Sequence, residues 1–154
     1  AAGIDVPDKT FGHTSLNLGV LDIEGGRAHM ELDVRFGLGI DAEEVVSRLG
    51  KALGGAWSVE VAMAKPVHLV PEDDPCLQAL LGAYRRVTDD AEPSSVMAGG
   101  TYASYLPALV AFGPKLPGTH TGAHGIDEHV SLANISRATD VYEEALRAIV
   151  ALAE

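Results

Sequence analysis

The chain has a single cysteine, Cys76, among 154 residues. An intrachain disulfide is excluded, and a reducing cytosol is the expected compartment. Positive charge is scarce as well. Eleven Lys and Arg against 22 Asp and Glu leave a net charge of −11, which repels nucleic acid and anionic membrane, so neither is expected as a partner. No apolar run approaches the roughly 20 residues of a membrane span. The opening AAGIDVPDKTFG lacks a basic segment followed by an apolar one, so it does not read as a signal peptide. It also lacks a first methionine, and the expectation is a processed product or a piece of something longer. C-x-x-C, H-E-x-x-H, H-x-H and G-x-S-x-G are all missing. Ser94, Ser95 and Ser104 therefore have no nucleophile elbow, and Cys76, early in a predicted helix, reads as core. What the chain does have is apolar residues, at 47%, and enough length to bury a core.

The pattern of those apolar residues predicts elements. SLNLGVLDIEGGRAHMELDVRFG reads as a β-hairpin, with Leu16, Leu18 and Val20 alternating on one strand and Met30, Leu32, Val34 and Phe36 on the other. Asp41 caps a following helix, with Glu44 as capping-box partner and Val45, Leu49 and Ala52 or Leu53 as its inner stripe. AWSVEVAMA reads as a third strand, making residues 13 to 64 β-β-α-β, short of the two helices that would cover one face of such a sheet. The proline- and acid-rich KPVHLVPEDDP marks a boundary. Asp74 and Pro75 then start a helix, SSVMA and ALVAFG read as strands, and Ser131 caps a last helix facing inward through Leu132, Ile135, Ala138, Val141, Ala145, Ile149 and Leu152. The second half is α/β. Each half is a small set of elements that needs more chain.

Three places could carry chemistry. PGTHTGAHGIDEHV brings His120, His124 and His129 within ten positions, beside Asp127 and Glu128. Neutral imidazole is a common zinc ligand, but zinc takes three or four protein ligands, and loop histidines are more often solvated or hydrogen-bonded. Gly99 and Gly100, ahead of a predicted helix, could open an anion-binding nest of N–H groups or form an ordinary tight turn. Arg35, on the polar face of its strand beside Glu31 and Asp33, is either a solvated arginine paired with a neighbouring acid or a bidentate clamp for a substrate carboxylate.

Taken in order, SLNLGVLDIEGGRAHMELDVRFG, MAGGTYASYLPALVAFGPKLPG and AHGIDEHVSL resemble one family. It is the co-catalytic zinc peptidases that include the PepV-type Xaa-His dipeptidases, carboxypeptidase G, aminoacylase and succinyl-diaminopimelate desuccinylase, with the dipeptidase branch the most similar. The resemblance covers nearly the whole chain. It implies a C-terminal third of a two-domain enzyme: residues 1–68 as part of a lid domain, a ferredoxin-like half sandwich of α+β type, and residues 69–154 as the closing part of an α/β catalytic domain holding two zinc ions.

Residue by residue, the resemblance makes His124 a zinc ligand, Arg35 the grip on the substrate's carboxylate, and Gly99, Gly100 and Thr101 the turn lining that end of the pocket. Asn17 sits in a similar lid motif, N-x-G-V, while His120 and His129 have no match. The family's usual D-x-R-Y-P is D-V-R-F-G here. The H-x-D motif, the bridging aspartate, the E-E pair and a lid histidine have no counterpart in this chain, so no catalytic residue is expected in it. The implied activity is hydrolysis of a dipeptide or N-acyl amino acid, with the missing N-terminal part of the same enzyme, or a second copy, as partner. The alternatives are an amidohydrolase of desuccinylase or aminoacylase type, and a non-catalytic module that binds a carboxylate or mediates assembly.

Overall fold

The structure is a computed structural model. It describes residues 2–97, 99–106, 109–113 and 115–153. The chain divides into two compact units, Ala1–Val67 with Val96–Gly100, and His68–Ser95 with Thr101–Glu154.

The first unit holds strands β1 (Ser15–Glu24) and β2 (Arg27–Arg35) and helix α1 (Ala42–Leu53). The strands pair antiparallel around Gly25 and Gly26, whose φ of 55° and 79° are what a tight two-residue hairpin turn requires. A bulge lies between Leu18 and Val20. It carries one unpaired residue, Gly19, and that residue re-phases the strand. Leu16 and Leu18 face Val34 and Leu32, whereas after the bulge Leu21 and Ile23 face Met30 and Ala28. The apolar face of β1 is therefore Leu16, Leu18, Leu21 and Ile23. Val20, expected on that face, sits opposite Glu31 on the polar one.

Helix α1 forms where its cap predicts. The Asp41 carboxylate accepts from Glu44 N–H at 2.8 Å, satisfying one of the orphan donors of the first turn. The Glu44 side chain binds Arg48 one turn on, at 2.7 Å. Val45 and Leu49 are buried with Ile4 and Ile40, and Leu32, Val34, Phe36 and Val59 pack against them. Only β2 reaches this core. Every residue of β1 is exposed.

The second unit pairs helix α2 (Pro75–Thr88) with helix α3 (Leu132–Leu152). Asp74 caps α2 through Leu77 N–H at 3.0 Å, and Ser131 caps α3 through Asn134 N–H at 3.1 Å. Leu80, Ala83 and Ala145 are buried between the two helices, with Cys76, Val110, Phe112, Ala148 and Ile149 packed around them. Cys76 is thus a small partly buried apolar side chain, as read. Arg137 donates to the carbonyl of Thr88 at 3.1 Å, closing the C-terminal end of α2, and Arg86 pairs with Glu144 at 2.7 Å.

The inward stripe of α3 is shorter than its sequence pattern. Val141 and Ala145 are buried, but Leu132, Ile135 and Leu152 are exposed. Length explains this: 21 residues of α3 outrun the 14 of α2 by about 10 Å at ~1.5 Å per residue. Among the described residues no helix is long and apolar enough to cross a membrane.

Three expected strands are corrected. Residues 56–64 form no strand, and neither do the described parts of SSVMA and ALVAFG; Ala98 and Ala108 lie outside the described residues. A strand needs a neighbour for its N–H and C=O groups, and among the described residues none pairs with these segments. The β-β-α-β expectation becomes β-β-α, and the described residues as a whole hold one two-stranded sheet and three α-helices, a mixed α/β content.

Candidate functional site

Arg35 ends β2 and lies opposite Ser15, on the polar face that also carries Asp33 and, across the pair, Asn17. Both Arg35 Nε and Nη2 donate to Asp33 Oδ2, at 3.2 and 2.8 Å. Residues two apart on a strand share a face, which is what allows this pairing. The hydrogen bond from Arg35 holds the Asp33 carboxyl below its usual range and raises the guanidinium in turn. The pair is about half exposed, so in solvent it adds little to stability. The bland expectation, an arginine paired with a neighbouring acid, describes the structure. The clamp would use the same group.

Gly37 stands where the family motif has proline. An added Cβ there would lie 2.7 Å from Asp8 Cβ and 3.0 Å from Phe11 Cβ. The 8–12 segment is itself braced: Asp8 Oδ1 accepts from Thr10 and Phe11 N–H at 2.7 and 2.9 Å, and Asp8 and Gly12 exchange two backbone bonds of 2.8 Å. The Phe11 N–H first, and the Thr10 N–H after it, hold the Asp8 carboxyl below its ordinary range. The strand exit that carries Arg35 is therefore built around glycine by close approach of the chain's own N-terminal segment.

Gly99 and Gly100 are exposed. Gly100 lies outside the left-handed region, with Lys65 Nζ 3.8 Å from its would-be Cβ. Thr101 precedes a single 3-10 turn, Tyr102–Tyr105, and its carbonyl accepts from Ser104 N–H and Oγ at 3.2 and 2.7 Å. The helix expected after the glycines is only this turn, so the N–H nest has no helix end to work with. Arg35, Gly99 and Gly100 belong to the first unit, and Thr101 and the histidine loop to the second.

The three histidines of the loop make different contacts. His129 donates from Nδ1 to the Asp127 carbonyl at 2.6 Å, and its N–H closes the loop on the Thr121 carbonyl at 2.9 Å. His120 lines a shallow groove with Lys115, Thr119 and Gly122. His124 sits at φ 62°, an uncommon backbone for a residue with a side chain. Its N–H donates to Glu128 Oε2 at 3.2 Å, and Gly125 N–H to the Gly122 carbonyl at 2.7 Å. Among the described residues no three His, Cys, Asp or Glu gather as a metal site. Imidazole is the right donor chemistry for zinc, and each histidine supplies one of the three or four protein ligands that zinc takes. The φ of His124 and the Glu128 bond were not legible in the sequence, although a histidine directly before Gly125 and two residues after Gly122 is the signal that could have pointed there.

The residues just described lie within a match to a known family. Residues 7–148 match the model of peptidase family M20/M25/M40, and the chain belongs to that family. Among curated proteins it is similar to one of Staphylococcus saprophyticus named "Putative dipeptidase", at 32% identity over 149 residues. A Staphylococcus aureus (strain USA300) protein of the same name is 27% identical over 146 residues. The aligned stretch is 94% of this chain and 31% of each relative, so the chain spans about a third of the length of the curated relatives it matches.

Proposed function

We propose that this chain is the C-terminal part of a metal-dependent dipeptidase, the residues to about 68 belonging to a lid and those from about 69 to the catalytic domain. The observation that carries this reading is the family match over residues 7–148, which takes in Arg35 and His124 together. The dipeptidase names of the relatives support peptide hydrolysis. Arg35 binds the free carboxylate of the substrate with its planar fork, and Gly99, Gly100 and Thr101 line that end of the pocket. His124 is one zinc ligand. When bound, zinc polarises the scissile carbonyl as a Lewis acid. A carboxylate held away from the reacting bond orients that bond. N-acyl amino acids carry the same carboxylate and are the second substrate class to assay.

The ligand count makes a test. A single imidazole cannot complete a four-coordinate site, and the general base is not in this chain. The chain alone should therefore bind zinc weakly and leave dipeptides intact, and hydrolysis should appear when the remaining part of the enzyme is supplied as a separate chain. Tight zinc binding in calorimetry, or dipeptide hydrolysis, by this chain alone would overturn the reading.

A further inference from the structure

We infer, resting on the proposed reading of His124 as a zinc ligand, that Glu128 is its positioning residue: the carboxylate holds the left-handed backbone from which the His124 side chain leaves, and so sets the zinc affinity of that site. The backbone shows why a brace is needed. Gly125 N–H donates to the Gly122 carbonyl at 2.7 Å, closing a four-residue turn. Its third residue, His124, is at φ 62°, while the second, Ala123, is not at positive φ. That is the pattern of a type II turn, whose third position is ordinarily glycine or asparagine. A larger side chain is disfavoured there and persists where surrounding contacts hold it.

Glu128 supplies such a contact. Its Oε2 accepts from the His124 N–H at 3.2 Å, a donor that the turn's own bond does not use. The base of the Glu128 side chain is itself held in place. His129 N–H bonds the Thr121 carbonyl at 2.9 Å, and a Cβ added at Gly122 would lie 3.6 Å from the Asp127 carbonyl oxygen and 3.9 Å from Glu128 Cα. Glu128 therefore reaches back to the turn from a closed loop. If His124 relaxed to negative φ, its Cβ would leave the chain in another direction. Zinc would then meet only the fraction of molecules with the left-handed turn, and its apparent affinity would fall in proportion to that fraction.

The test uses the intact enzyme stripped of metal, with zinc itself as the probe, titrated against a competing chelating dye. His124→Ala should remove one zinc site. Glu128→Ala should weaken that site about tenfold. Two further variants separate reach from charge. Glu128→Gln keeps an acceptor oxygen at the same reach without the charge, and should recover most of the affinity. Glu128→Asp keeps the charge on an arm one methylene shorter, and should bind as weakly as Glu128→Ala. If His124→Ala leaves zinc binding intact, the ligand reading of His124 fails and this inference fails with it. If His124→Ala loses a site but Glu128→Ala binds as tightly as the unmodified enzyme, the ligand stands and Glu128 has no part in placing it. If Glu128→Gln binds as weakly as Glu128→Ala, or Glu128→Asp as tightly as the unmodified enzyme, the carboxylate acts through its charge or as a ligand, which also overturns the inference.

Discussion

Replacing Gly37 with alanine sets two physical effects against each other, and the structure decides between them. At an unstrained position, Gly→Ala stabilises by roughly 0.4–1 kcal/mol, because the unfolded chain has less freedom to lose. Gly37 is not in the left-handed region, so backbone strain does not oppose the change. Space does oppose it. The new methyl would lie 2.7 Å from Asp8 Cβ and 3.0 Å from both Asp8 Cγ and Phe11 Cβ. Those atoms are on or next to the backbone of a segment braced by the Asp8 bonds to Thr10 and Phe11, so no flexible side-chain tip can swing aside. Overpacking of this kind costs about 1–3 kcal/mol, which outweighs the entropic gain. The net expectation is a destabilisation of about 1–2 kcal/mol, and proline, the residue usual in the family motif, should be no better. The assay is denaturant unfolding followed by Trp57, the single tryptophan, which lies in the same unit. An unchanged or raised midpoint would refute the claim that the 8–12 segment packs on the exit of β2.

Three further outcomes are expected. In the intact enzyme, Arg35→Ala should lower kcat/KM for a dipeptide by about two to four orders of magnitude, the loss of a charge partner in a closed complex; Lys should rescue poorly, and the melting temperature should hardly move because the side chain is half exposed. Leu80→Ala should destabilise the helix pair by about 2–3 kcal/mol, since Leu80 is buried in the small core that α2 and α3 share, as thermal unfolding would report. The Asp33 carboxyl is depressed in the fold by Arg35, so the ion pair persists above the ordinary value of 3.8 and is lost as pH falls through the lower folded value. A carbon-detected NMR titration should place the Asp33 midpoint below 3.8 and return it towards that value in Arg35→Ala.

The helices were legible because their signals are local. Asp41, Asp74 and Ser131 each hold the N–H three residues on, and a cap followed by a 3.6-residue pattern needs no distant partner to be read. The hairpin was legible for the same reason, through its glycine turn. The bulge was not: Val20 and Leu21 are both apolar, so the sequence does not say which of them follows Leu18 on the apolar face, and the pairing of Val20 with Glu31 and of Leu21 with Met30 decides it. Strands at 56–64 and in the described parts of 94–98 and 108–113 were over-read, because alternation and apolar runs specify a face and not a neighbour. Val59 does pack on the core, but Val61 and Met63 of the same pattern are exposed. Of the candidate site, the contact of Arg35 with Asp33 follows from two-residue spacing on one strand. The left-handed His124 does not follow from any spacing rule, and the bond from its N–H to Glu128 was visible only in three dimensions.

Metal content tests the central claim most directly. Three versions of the intact enzyme, unmodified, His124→Ala and His120→Ala, should be purified in parallel and their zinc measured per protein alongside dipeptide hydrolysis. The account predicts that His124→Ala loses about one zinc equivalent and nearly all activity, as the removal of one ligand from a four-coordinate site implies, while His120→Ala keeps both. Full zinc and activity in His124→Ala, or their loss in His120→Ala instead, would contradict it.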